Sequence, residues 1–371
     1  MKLNEASQRK HAATLLPSLP RGAETLIIRL RSLGDLVLET PAIAALHSWR
    51  PDLRISVLVE PRFAAVLEGN PAIAGLLSSD SSVIKTARGL RKRRFPIVFN
   101  QHGGPRSAIL AGFSSAQWRL GWAGYQYSLM YNVHVPDALA FFGTDAVHTV
   151  EHRISQFYWA GLPRGPIPNA RVFPQSDAVE SIARKLAEKG IVPGAPYAVL
   201  QPGARLDEMR WPLARFAEIA RWLRDKNGIA SVVNLGARDA EISAEVRREM
   251  SKCALILEPP LDIRELIALI AGSRIFIGND SGPVHLAAAL QRPSAVIFSV
   301  TDPVQWRPWR APHRIVQTGA TFHHPRGDKG IVASNPRSIS SIVFEEVRDA
   351  CDDLLSGQAR TTGAAERFTS S

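Results

Sequence analysis

Two short runs in this 371-residue chain set acids, hydroxyls and small residues where an apolar stretch gives way to a helical one. In the first, RSLGD at 31–35, Asp35 could serve in either of two ways. An aspartate there suits the cap of a helix beginning at Leu36. It also suits proton abstraction from a hydroxyl nucleophile, a role that contributes about a hundred- to ten-thousandfold to a rate. Gly34 beside it would open backbone conformations closed to other residues and let a ligand approach. The second run, NDSGPVH at 279–285, combines the cap residues Asp280 and Ser281 with the small Gly282, and puts Pro283 in a first helical turn. A helix start free of bulky side chains presents N–H groups and the positive end of a dipole, which is a seat for an anion such as a diphosphate. His285, taken alone, reads as structural.

The elements needed to position these runs follow from the hydrophobic pattern. A strand at 25–30, a helix at 36–49 and a strand at 54–60, joined by short turns, predict a parallel sheet with right-handed crossovers. Helical segments at 61–67 and 87–94 and a strand at 97–100 extend it. Proline and glycine accumulate between 163 and 196, around a helix at 177–189, and mark a join between domains. The alternation then restarts, with strands at 198–201, 230–235, 255–257, 275–278 and 294–298 and helices at 213–226, 240–249, 263–271 and 284–290. Both chemical runs therefore fall at carboxyl ends of parallel strands, where ligands of open α/β sheets gather. The boundaries expected are a flexible leader at 1–22, a first domain at 23–165, a linker region at 166–195 and a second domain at 196–337. A closing helix at 338–356 is expected to pack back on the first domain, followed by a disordered tail at 357–371.

Bulk composition narrows the classes. The chain carries 45 Lys and Arg against 34 Asp and Glu, a net +11, which favours anionic partners: phosphorylated substrates, acidic membrane surfaces or nucleic acid. Its two cysteines, Cys253 and Cys351, form no metal-ligand pattern and point to a reducing compartment. The leader lacks the apolar stretch of a secretory signal. No apolar run reaches the roughly 18 residues of a membrane span, so any membrane contact is expected to be peripheral.

The stretch from Ile27 to Glu60 resembles the opening of glycosyltransferase family 9, the ADP-heptose:lipopolysaccharide heptosyltransferases. Ser32, Gly34, Asp35, Thr40 and Pro41 stand at the positions of its Ser-x-Gly-Asp and Thr-x-Pro elements. By that resemblance Asp35 is the catalytic base. The run from Asp280 also matches the family's donor signature, and the resemblance assigns Asp280, Ser281, Gly282 and His285 to the donor diphosphate and heptose. It further implies that Arg210, where a lysine is common, meets donor phosphate, that the acidic segment Asp239 and Glu241, Glu241 by weak preference, meets the ribose, and that Thr301, Asp302 and Pro303 line the nucleotide pocket. The alternatives are a solvated loop charge for Arg210, solvent-facing acids at a helix start for Asp239 and Glu241, and an ordinary turn at 301–303. Arginine holds phosphate in a fork where lysine acts as a point charge, so that exchange is not neutral by default. Ser32, Gly34, His102 and Arg106 fall on the acceptor side. Pro96 and the run from Asn100 to His102 depart from the usual pattern and leave acceptor identity open. The basic run Arg88, Arg91, Lys92, Arg93 and Arg94 suits phosphorylated lipid or the acidic inner leaflet, or a merely solvated face.

The implied architecture is GT-B: two Rossmann-like doubly wound α/β domains facing across a cleft, acceptor domain first. The implied reaction is inverting transfer of heptose from ADP-heptose to a lipopolysaccharide inner-core sugar or lipid-linked acceptor, in the cytoplasm, either free or at the cytoplasmic face of the inner membrane. No metal, cofactor or nucleic acid is expected. The alternatives are another sugar-nucleotide enzyme of the same fold, with a different donor or acting as a non-hydrolysing epimerase, and a non-catalytic nucleic-acid binder drawn by the charge. A dinucleotide dehydrogenase is disfavoured, because no G-x-G-x-x-G follows either domain's first strand.

Overall fold

Strand β1 (Glu24–Ile28) is apolar on both faces and four of its five residues are buried, as a central parallel strand requires. In the computed structural model, which describes residues 5–144, 146–236, 239–319, 321–323, 332–334 and 337–357, it lies inside a six-stranded sheet. The others are β2 (Arg54–Val59), β3 (Gly75–Ser78), β4 (Ile97–Asn100), β5 (Trp118–Trp122) and β6 (Val133–Val135). The order is β3-β2-β1-β4-β5-β6, every pair parallel, with Ile28 opposite Asn100 where β1 meets β4. The helices of this unit are α1 (Glu5–Ala12), α2 (Leu33–Trp49), α3 (Val83–Arg93), α4 (Pro105–Gly112), α5 (Ala138–Phe142) and α6 (Thr149–Trp159).

Helix α2 is buried on nearly every side through its first three turns, which suits a sequence whose residues are mostly apolar. Pro41 sits within it and has no N–H to give the carbonyl one turn back. Thr40 supplies the missing donor, its hydroxyl reaching the Val37 carbonyl at 2.7 Å. The Thr-Pro pair is thus an internal repair that lets the helix run on.

The chain divides into two compact units between Ala170 and Arg171. The second begins with α7 (Ser176–Glu188), then β7 (Tyr197–Gln201), α8 (Leu213–Asn227), β8 (Ala230–Val233), α9 (Ala240–Met250), β9 (Leu255–Ile256) and α10 (Ile263–Gly272). It continues with β10 (Ile275–Asn279), α11 (Gly282–Ala289), β11 (Ser294–Phe298), α12 (Pro303–Trp306), β12 (His313–Gln317), the antiparallel pair β13 (Thr321–His323) and β14 (Val332–Ser334), and α13 (Phe344–Leu355). Its main sheet runs β12-β11-β10-β7-β8-β9, again all parallel. Counted within each unit the two orders are the same. Each sheet reverses direction of growth once, at β1/β4 and at β7/β10.

Three expectations need correction. The leader is not loose over its described part: Leu15, Leu16 and Leu19 are buried, Leu16 N–H bonds the Ala160 carbonyl at 2.9 Å, and Arg50 donates to the Leu16 and Leu19 carbonyls. Its leucines outweigh its polar residues once a surface exists to receive them. Helix α13, expected against the first domain, is built into the core of the second unit. Val347, Ala350, Cys351 and Leu354 join the core built by β7, β10, β11 and α8, Val347 and Leu354 each contributing roughly 1.5–3 kcal/mol. Helix α7, read as part of the linker, belongs to the second unit as well, bound to α10 by the Lys185–Glu265 pair at 2.6 Å. The expectations for residues 1–4 and 358–371 lie outside the described residues.

Candidate active site

In the first unit Asp35 does not cap a helix starting at Leu36. The helix begins at Leu33 with Ser32 as its N-cap, and Asp35 is its third residue. Its Oδ2 accepts from the Ser32 hydroxyl at 2.9 Å, with the Ser32 N–H 3.5 Å away. Gly34 is helical and buried, with none of the positive φ expected of it, so its use is small size rather than backbone freedom. Asp35 Oδ1 faces two buried arginines. Arg29, from the end of β1, pairs with it, and Arg153 Nη2 from α6 lies at 3.2 Å. Both arginines also donate to the Gln101 carbonyl, just past β4. The Gln101 amide answers with a bond to the Arg153 carbonyl at 3.0 Å, so the ends of β1 and β4 and helix α6 are tied into one network.

Burial opposes charge on Asp35, yet the pull of Arg29 and Arg153 and the Ser32 hydroxyl outweighs it and holds the carboxyl well below the ordinary aspartate range. Asp35 is therefore an anion at any working pH, and about a fifth of its side chain stays exposed. His102 comes to the same place. Burial, then the positive charge of Arg29 and Arg31, press its pKa to about 4, so its ring is neutral. Arg106 points elsewhere: it donates to the Ser79 hydroxyl at 2.9 Å and to the Asp80 carbonyl, closing the loop after β3. Gly103, with φ +67°, is required beneath Tyr125, whose ring a Cβ there would meet at 2.9 Å.

In the second unit the loops after β7, β8, β10 and β11 all leave from one edge, because the strands are parallel. Asp280 is buried and accepts the Thr301 hydroxyl at 2.5 Å. Burial raises its pKa to about 6, against the lowering effects of Thr301 and Arg205. Ser281 is the N-cap of α11, but its hydroxyl makes no capping bond and has no hydrogen-bond partner among the described residues. Gly282 opens the helix with Pro283 next, and His285 lies buried on its first turns, 6.2 Å from the Trp306 ring.

Arg210 is folded against the loop after β7, pairing with Asp207 at 2.5 Å and donating to the Ala204 carbonyl. Asn279, at the end of β10, ties the same loop down by accepting the Trp211 N–H at 3.1 Å and donating to the Pro202 carbonyl at 2.7 Å. Of the two acids near α9, Glu241 is exposed in the first turn, whereas Asp239 is buried and accepts the Gly236 N–H at 2.8 Å. A Cβ on Gly203 would fall 2.1 Å from Asp239 Oδ1, so that glycine is what lets the loops after β7 and β8 meet.

Ser32, Gly34, Asp35 and His102 are thus gathered at the β1/β4 switch point, and Arg210, Asp280, Ser281, Gly282 and Thr301 at the matching edge beside β7 and β10. Sequence reasoning missed Arg29, Glu39 and Arg153, the buried charges around Asp35, and Arg205, whose charge acts on Asp280. For Arg29 and Glu39 the available signal was a charged residue interrupting an apolar run, whereas Arg153 and Arg205 stand in polar stretches and carried none.

Two doubly wound units, each an all-parallel sheet with its polar groups at a switch point, are the GT-B fold class. The profile of glycosyltransferase family 9 (heptosyltransferase) matches residues 83–331, and the chain belongs to that family and is a glycosyltransferase. It is 27% identical over 340 residues to lipopolysaccharide heptosyltransferase 3 of Escherichia coli K12, covering 88% of this chain and 96% of the relative. Among solved structures it resembles a family 9 glycosyl transferase from Veillonella parvula, with a TM-score of 0.80 and 21% identity over 91% of this chain and 99% of the other. The E. coli ADP-heptose lipopolysaccharide heptosyltransferase II is similar at TM-score 0.74 and 20% identity, covering 90% and 99%. No helix among the described residues is long and apolar enough to cross a membrane.

Proposed function

We propose that this enzyme moves heptose from ADP-heptose to a sugar of the lipopolysaccharide inner core by single displacement with inversion, with Asp35 as general base. The observation that carries the reading is the placing of Asp35: a carboxylate in the first turn of α2, partly open to solvent and flanked by the buried Arg29 and Arg153. The acceptor hydroxyl becomes acidic only as its bond to the anomeric carbon forms, so even a weak base can take the proton late. Ser32 and the arginine pair orient the carboxylate, and the neutral His102 can hydrogen-bond an acceptor hydroxyl without competing for the proton.

On the donor side, the free Ser281 hydroxyl and the N–H groups at the start of α11 suit a diphosphate, and Arg210 adds charge as the leaving group departs. Asp280 is placed in this reading against heptose hydroxyls, with Thr301 beside the nucleotide and Glu241 near the ribose. Peripheral contact with an anionic membrane is part of the proposal. Its support is α3 itself, on which Arg88, Arg91, Lys92 and Arg93 are exposed together with the apolar Ile84.

The test is incubation of the purified protein with ADP-heptose and a heptose-deficient core oligosaccharide, read by mass spectrometry. Addition of one heptose with release of ADP is expected. Change in the donor without consumption of acceptor would point to an epimerase instead.

A further inference from the structure

Glu39 lies one turn beyond Asp35 on α2, fully buried, and the transfer scheme above does not use it. Neither of its carboxyl oxygens has a hydrogen-bond partner among the described residues. The nearby charge is Arg153, whose Nε stands 4.0 Å from Oε2 and likewise lacks a hydrogen bond. An acid so placed costs stability that a buried leucine or methionine at the same point of an apolar helix would not. Two carboxylates and two arginines make a balanced set. With Glu39 protonated, the set carries a surplus positive charge, and Asp35 alone must answer it.

We infer that Glu39 is a positioning residue that sets the basicity of Asp35: when ionised it draws on Arg153 and Arg29, and Asp35 is left freer to accept the acceptor's proton. The inference rests on the reading of Asp35 as the base. The groups facing Glu39 are Arg29 from β1, Arg153 from α6, Asp35 on its own helix and Tyr125 from the loop after β5. His102, after β4, faces the same arginines and Asp35, and His152 on α6 faces the same arginines, its ring held neutral by burial with a pKa of about 3. Burial raises the Tyr125 phenol, and His102 is neutral down to about 4, so neither changes charge near neutrality. Glu39 does: burial pushes it up to about 7 against the pull of Arg153 and Arg29. Its proton exchanges with solvent and does not enter the transfer step.

The test compares kcat against pH for the full-length enzyme and for Glu39→Gln, with ADP-heptose and the core oligosaccharide. In the wild type the rate should rise about tenfold as Glu39 ionises, while Glu39→Gln should stay at the low level throughout with its donor KM unchanged. A variant that keeps the rise, or that loses activity equally at every pH with an altered donor KM, overturns the inference. Adding Glu39→Gln to Asp35→Asn should change nothing further. Near-normal turnover by Asp35→Asn alone would remove the base assignment, a separate failure. Should Glu39→Gln not fold, wild-type protein labelled with carbon-13 at aspartate carboxyls decides the matter. The Asp35 resonance, assigned by its loss in Asp35→Asn, should move with a midpoint near that of Glu39 while Asp35 stays ionised, and a resonance that does not move overturns the inference.

Discussion

Arg153 is shared by Asp35 and Glu39: its Nη2 lies 3.2 Å from one carboxylate and its Nε 4.0 Å from the other. A single guanidinium from α6 thereby couples two acids a turn apart on α2, one partly exposed and one sealed. Losing Arg153 leaves charge uncompensated in a dry place. Arg153→Ala is expected to destabilise the first unit by about 3 kcal/mol. Denaturation followed by tryptophan fluorescence measures it, and an unchanged midpoint would mean that the buried pair is not a real interaction.

Thr40 supplies the donor that Pro41 cannot. Thr40→Val keeps shape and removes the hydroxyl, leaving the Val37 carbonyl with one partner fewer in a buried helix. A loss of about 1 kcal/mol follows, and a melting temperature lower by roughly 2–4 °C should register it. Reverting Pro41 to alanine in that variant should recover the loss, since the backbone N–H returns.

Gly203→Ala drives a Cβ into the Asp239 carboxylate and must push apart the loops after β7 and β8. Since these loops carry Arg210 and precede Glu241, ADP affinity should fall by about tenfold or more while the fold survives, a displacement of the kind that misplaces binding groups by an ångström. Titration calorimetry with ADP reads the effect directly.

Asp280 gives a stability signature that depends on pH. Its folded pKa, near 6, lies above the ordinary aspartate value of 3.8, so the folded state holds its proton longer than the unfolded chain does. Its contribution to stability therefore falls as pH rises between those two values and stays lost above them. Asp280→Asn should be more stable than wild type at neutral pH, by about 1–3 kcal/mol, with the advantage vanishing below about pH 4. The same variant should bind ADP-heptose less tightly. An advantage that grows on acidification would contradict the burial account.

How much of this was legible beforehand depended on whether a signal was local. The β1 to α2 turn and the β10 to α11 turn each announce themselves through an apolar strand, a glycine and a hydroxyl cap within a few residues, and both sites sit there. Arg29 stood in plain view, but a lone charge at the end of a strand reads as an edge, and only Arg153, more than a hundred residues away, gives it a purpose. Glu39 was hidden in the same way inside an apolar helix. The placement of α13 rested on which surface would match Val347, Cys351 and Leu354, a question of packing that periodicity does not answer. Leu16 was lost in a leader whose average is polar although its individual leucines are not.

The most direct test of the account is Asp35→Asn, which keeps the acceptor for Ser32 and removes the proton acceptor for the substrate. Donor affinity by calorimetry should remain within about twofold, while single-turnover transfer should drop at least about a hundredfold. Transfer at close to the wild-type rate, with donor binding intact, would contradict the claim that this carboxylate does the chemistry.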